Sequence, residues 1–119
     1  MPAKDTLKDR LARSREITIT VVGRKSGKRI SRPVWFVLEG DTLYLLPVQG
    51  SDTQWYKNLL QNPEIGIEAR DKRGKFHATE VTDRKAVASV AEKFREKYTA
   101  ADVKKYYSKF DVAVTIELG

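Results

Sequence analysis

Apolar and polar residues alternate through EITITVV (16–22), which predicts a strand with Ile17, Ile19 and Val21 on one face. The run from Arg29 to Leu38 keeps the same two-residue period through Ile30, Val34, Phe36 and Leu38, and Pro33 within it predicts an edge or a bulge. Between the two lies Gly23-Arg24-Lys25-Ser26-Gly27-Lys28, a glycine-bracketed turn. Glu39-Gly40-Asp41 predicts a tight turn into a third strand over TLYLLPV (42–48). After the loop Gln49-Gly50-Ser51-Asp52, a helix over TQWYKNLLQN (53–62) would be capped by Asp52 or Thr53 and ended by Asn62-Pro63. EIGIEAR (64–70) and KFHATEVT (75–82) predict a second hairpin around Asp71-Lys72-Arg73-Gly74.

Asp83 can cap a helix whose Val87, Val90, Ala91 and Phe94 share one face, and Thr99 can cap a further one carrying Tyr106 and Tyr107. DVAVTIEL (111–118) closes as a strand, and Leu7 and Leu11 place a short, mostly exposed helix within residues 3–15. Antiparallel hairpins with helices inserted late predict a mainly β (α+β) fold: a split antiparallel barrel of about six strands decorated by short helices. A Rossmann sheet is disfavoured, because the strands are not separated by crossover helices.

A chain of 119 residues fits one domain, 1–119. It has no cysteine, so disulfides, thiolate nucleophiles and Cys-based metal sites are excluded, and the single His77 excludes a His-rich metal site and a Ser-His-Asp triad. No metal is expected. No apolar run is long enough to span a bilayer, and the N-terminus lacks a signal-peptide core, so a cytoplasmic location is expected.

Charge sharpens the picture. The net charge is +7, and residues 1–33 hold ten basic against three acidic side chains, whereas the remainder balances. Such a field points to an anionic partner, or to a solubilising surface. Residues 24–32 supply five cations and no acid. In the turn, glycines permit close backbone approach to an anion, Arg24 adds a fork, Lys25 a point charge and Ser26 a hydroxyl. The alternative is an ordinary solvated hairpin turn. No helix follows, so it is not a Walker loop.

GRKSG, then RPVWF, then VQGSDTQWYKNL and NLLQNPEIGIEA, together resemble the deazaflavin-dependent nitroreductase and quinone reductase family of split-barrel, pyridoxamine-phosphate-oxidase-like proteins. The likeness covers most of 17–69 well and 75–118 loosely. It implies reduced coenzyme F-420 as cofactor, an apolar or aromatic electron acceptor such as a quinone or nitroaromatic, and a possible homodimer. By this resemblance Arg24, Lys25 and Ser26, with Arg32 following, would hold the cofactor's phosphate and acidic tail. Pro33, Val34 and Trp35 would lie along the deazaflavin ring, Val48, Gln49 and Gly50 on its other side, and Trp55 and Asn58 on the helix beside it. Tyr106 and Tyr107, with Tyr98, fall where tyrosines face the substrate, and a phenol there could donate a proton or a hydrogen bond. Their alternative is packing of a helix on the barrel, as core or interface packing is for Trp35 and Trp55.

Gln49 stands where the family commonly carries a cation, which keeps flavin mononucleotide as the alternative cofactor. Two other readings compete: a basic nucleic-acid-binding barrel stacking bases on Trp35, Tyr44 and Trp55, and a non-catalytic cofactor carrier. No nucleic acid is expected, since that reading gives no reason for GRKSG to accompany a W-Y-x-N-L helix.

Overall fold

β-branched residues at a period of two build β1 (Ile17–Val22), whose Ile17, Ile19 and Val21 are buried while the residues between them are half-exposed. In the computed structural model, which describes residues 7–118, β1 lies inside a seven-stranded sheet of order β2-β1-β5-β6-β7-β4-β3. The remaining strands are β2 (Arg29–Val34), β3 (Val37–Glu39), β4 (Thr42–Leu45), β5 (Glu64–Ala69), β6 (Lys72–Val81) and β7 (Ala113–Glu117). All neighbouring pairs are antiparallel, so the sheet is a curled, split barrel of the expected class.

The count exceeds six because the expected strand over 29–38 breaks at Trp35-Phe36. Strands β2 and β3 are joined by these two residues yet occupy opposite edges of the sheet. The curl therefore brings the edges together, and the chain crosses the seam without pairing across it. Pro33 sits on the edge strand β2, where a missing N–H leaves no ladder bond unmade. At the seam, Phe36 turns into the barrel core with Ile19, Leu43 and Ile67, whereas Val37 packs outside it with Val87, Val90 and Phe94. Two adjacent buried residues end the alternation.

The second hairpin turns at Arg70-Asp71, not over 71–74: Ala69 pairs with Lys72, and Arg70 takes φ +59°. Gly74, read as a turn residue, lies in β6, where an added Cβ would meet the Phe76 ring at 2.9 Å. The glycine makes room for an aromatic ring, not for a bend.

Helix α1 (Leu7–Ala12) buries Leu11 against the barrel; residues 3–6 of the expected helix lie outside the described residues. Helix α2 (Gln54–Gln61) starts at Thr53, but no side chain caps it, because the Thr53 hydroxyl accepts from the Gln49 N–H (2.8 Å) instead. Helix α3 (Arg84–Tyr98) is capped as expected, the Asp83 carboxylate accepting from the Ala86 N–H (3.0 Å). It buries Val87, Val90, Ala91, Phe94 and Tyr98 on one face. Thr99 ends α3 at φ +81° and accepts from the Asp102 N–H (3.2 Å) to open α4 (Ala100–Tyr106). No helix among the described residues is long and apolar enough to cross a membrane.

The seam is tied from α3. Tyr98, fully buried, accepts at its hydroxyl from the Phe36 N–H (3.1 Å) and can donate to the carbonyl of Arg15 (2.6 Å) or of Phe36 (2.8 Å). The Lys97 ammonium donates to the Phe36 carbonyl (2.9 Å) and lies 3.6 Å from the centre of the Phe36 ring. Burial, with Arg15 nearby, pulls Lys97 down to about 8. The unfolded chain, with a lysine near ~10.4, then holds more protons than the fold between these values, so stability rises with pH across that window. Above ~10 the trend reverses, because burial pushes Tyr56 and Tyr98 up to about 12 and the unfolded phenols ionise first. Urea midpoints at about pH 7 and pH 9.5 should therefore rise more for the wild type than for Lys97→Met. Equal rises would show that Lys97 titrates as it does in water.

Candidate active site

A cleft of about 560 Å³ opens along the seam. One wall is the end of β2 with the seam residue, Arg32, Pro33, Val34 and Trp35, and the facing wall is the start of α2, Thr53, Gln54 and Trp55. Leu46 and Val48, Tyr106 and Tyr107, and Glu16 complete it. Most of this lining is aromatic or aliphatic, with Arg32 and Glu16 as its charged groups.

Trp35 is held within an aromatic cluster. Its indole stacks on Tyr98 at 4.3 Å and 5°, and Tyr106 meets it nearly edge-on at 5.4 Å and 81°. Tyr98 thus lies behind the cleft wall, as the clamp of the seam, and not among the lining residues. Tyr106 is exposed at the cleft, while Tyr107 is buried and its phenol is pushed well above the ordinary range by that burial. The aromatics that a nucleic-acid barrel would present, Trp35, Tyr44 and Trp55, are buried or half-buried and form no open stacking face.

The structure brings together Arg32, Pro33, Val34, Trp35, Val48, Trp55, Tyr106 and Tyr107 of the sequence candidates. Arg24, Lys25, Ser26, Gln49, Gly50 and Asn58 lie outside the lining. In the turn, the amides of Gly23, Gly27 and Lys28 bond to Lys28 O, Gly23 O and Ser26 Oγ, and that of Arg24 bonds to Asn58 Oδ1. With these four amides engaged, the amides of Lys25 and Ser26 and the turn's side chains are what an anion there could use. Lys25 is fully available at the surface, and Arg24 reaches α2, where Nη1 donates to Asn58 Oδ1 and Nη2 to Gln54 Oε1, both at 2.8 Å.

Gly50 is buried at φ +55°, and an added Cβ would run into the Asp111 carboxylate and Lys109. The glycine lets the loop lie against residues 107–111. There Ser51 donates through N–H (2.8 Å) and Oγ (2.5 Å) to Asp111, and the Ser108 N–H donates to Val48 O (2.8 Å). His77 is exposed on β6, beside a second cavity of about 270 Å³ near Tyr56 and Glu80.

Sequence reasoning missed Glu16, Leu46, Thr53 and Gln54. Gln54 alone carried a signal: it precedes Asn58 by four residues, hence shares its helix face.

Residues 4–118 match the family model described as F420H(2)-dependent quinone reductase. Among curated proteins, none matches the chain. Among solved structures, an F420-H2 dependent reductase (FDR-A) is 22% identical, with a TM-score of 0.67 over 87% of this chain and 94% of that one. The haem storage protein HutZ of Vibrio cholerae superimposes with a TM-score of 0.70 at 14% identity, covering 94% of this chain and 87% of its own. A protein assigned as a pyridoxamine 5'-phosphate oxidase, from Listeria innocua, gives 0.63 at 16% identity, covering 90% and 86%. At these identities the three share the fold, and a fold that serves both a reductase and a storage protein leaves activity to the site.

Proposed function

The chain belongs to the F420H(2)-dependent quinone reductase family, oxidoreductases that use coenzyme F-420, and we propose that it passes a hydride from the reduced coenzyme to a quinone, nitroaromatic or similarly activated flat acceptor. The observation that supports this most is the cleft: mostly apolar walls with two indoles, and cations at the turn that neighbours α2. That set suits a flat ring carrying a phosphate and an acidic tail. When bound, the coenzyme supplies the hydride, so the protein need only bind, orient and keep water out.

Lys25, Arg32 and Arg24 would attract the phosphate and the acidic tail, with the Ser26 hydroxyl as a further donor. Pro33, Val34 and Trp35 would flank the ring on one side and Val48 on the other, with Gln49 and Gly50 shaping the loop behind it. Trp55 closes the helix wall. Tyr106 and Tyr107 would serve the acceptor: the Tyr107 phenol, which burial keeps protonated, can donate a hydrogen bond to a reduced oxygen but gives up its proton reluctantly.

The test is titration of the purified protein with coenzyme F-420 and with flavin mononucleotide, followed by absorbance and fluorescence. Coenzyme F-420 should bind more tightly, and more weakly at 1 M than at 0.1 M salt, as the Debye length falls from ~10 to ~3 Å. Turnover with a quinone and a nitroaromatic then reads the acceptor class. Equal affinities without salt dependence would remove the anion-binding role of the turn; tight binding of flavin mononucleotide alone would replace the cofactor.

A further inference from the structure

Asn58 is a side chain only 5% exposed, on the helix that forms one wall of the cleft, and a buried amide requires partners. Its partner is across the cleft's end, in the β1–β2 turn. Asn58 Oδ1 accepts from both the Arg24 main-chain N–H (3.1 Å) and Arg24 Nη1 (2.8 Å). One helical turn earlier, Gln54 accepts from the same guanidinium through Oε1 (2.8 Å) and, at longer range, through its main-chain carbonyl (3.4 Å). A guanidinium carries five N–H donors. These contacts engage both protons of Nη1 and one of Nη2, leaving Nε–H and the second Nη2 proton. Arg24 is nonetheless exposed as a residue, so a ligand can approach its side chain.

We infer that Asn58 and Gln54 are positioning residues for Arg24: they fix its guanidinium so that its two remaining donors form a ready fork for a phosphate-type anion at the turn end of the cleft. Asn58 itself touches no ligand. This rests on the reading of the cleft as the site of a phosphate-bearing coenzyme. An arginine that must be immobilised on binding loses up to about 30-fold in affinity through side-chain entropy. Here two side chains of α2 have immobilised it beforehand. It also follows that Arg24→Lys should recover only part of the affinity lost in Arg24→Ala, since an ammonium keeps the charge but can neither span Gln54 and Asn58 nor present a fork.

The test is a double-mutant cycle read as dissociation constants for coenzyme F-420 and, separately, for inorganic pyrophosphate. Arg24→Ala should weaken binding about 10- to 100-fold. Asn58→Ala should weaken it about 5- to 30-fold, and the double variant should fall within about twofold of Arg24→Ala alone. Losses that multiply would mean that Asn58 contacts the ligand itself and would overturn the inference. Gln54→Ala, at an exposed position, gives the same comparison if Asn58→Ala does not fold. In the ligand-free protein, the Arg24 Nε–H should be as rigid by NMR relaxation as the neighbouring backbone, and mobile in Asn58→Ala. A mobile Nε–H in the wild type also overturns it. If coenzyme F-420 fails to bind but pyrophosphate binds with the same non-additivity, the proposed cofactor falls and the positioning stands. If neither binds, the fork falls too.

Discussion

Tyr98→Phe should destabilise the protein by about 2–4 kcal/mol without changing its secondary structure, measured as a lower urea midpoint at constant slope. The substitution removes one oxygen, but that oxygen is one of the two groups through which α3 holds the seam, the other being the Lys97 ammonium. Its loss strands the buried Phe36 N–H, a penalty of about 1–3 kcal/mol, and withdraws a donor from the Arg15 and Phe36 carbonyls. The ring itself stays, so the stack on Trp35 and the packing on Phe94 are preserved. A midpoint within error of the wild type would mean that water replaces the hydroxyl and that the seam needs no tie.

Trp35→Ala should lower turnover about 100-fold at saturating coenzyme, as well as weakening its binding. A displacement of about 1 Å between reacting groups can cost this much. Trp35 is suited to hold a ring in place because it is itself held, face-on by Tyr98 and edge-on by Tyr106. Lys25→Ala should behave differently, raising the dissociation constant while leaving turnover nearly unchanged, because a tail contact is equal in ground and transition states. Single-turnover kinetics with Trp35→Phe as the control separates the two effects: a flat ring should recover most of the rate. Turnover unmoved in Trp35→Ala would place the reacting ring elsewhere.

Where one face of a strand met the core and the other met solvent, the chain announced its fold directly. Ile17, Ile19 and Val21 are buried in the period read from the sequence, and Ile65 and Ile67 follow the same alternation in β5. The Asp83 and Thr99 caps were legible for the same reason, since capping is local chemistry. The seam was not. Phe36 and Val37 are buried on opposite sides, one in the barrel and one under α3, and the bend between them depends on a partner, Tyr98, 62 residues away. Gly74 misled because a glycine that makes room for Phe76 has the same letter as one that turns. In the cleft, the motif residues on β2 and α2 were readable, whereas Glu16, Leu46 and Thr53 are brought in only by the curl of the sheet.

The position of β7 bears on how the chain is made. It is the last strand in sequence, and it lies between β6 and β4, pairing Thr42 with Glu117 at one end and Val81 with Ala113 at the other. Until residues 113–117 have left the ribosome, the β3–β4 hairpin has no strand to join, and the four-stranded half formed by β2, β1, β5 and β6 ends in an open edge. The sheet cannot be completed in stages: both halves wait for β7, which must insert between two open edges. Pairings this distant in sequence are slow to form, and an exposed edge invites pairing with another chain. The vulnerable interval in folding is therefore the one before β7 docks, when the edges of β4 and β6 are both open to a stray strand.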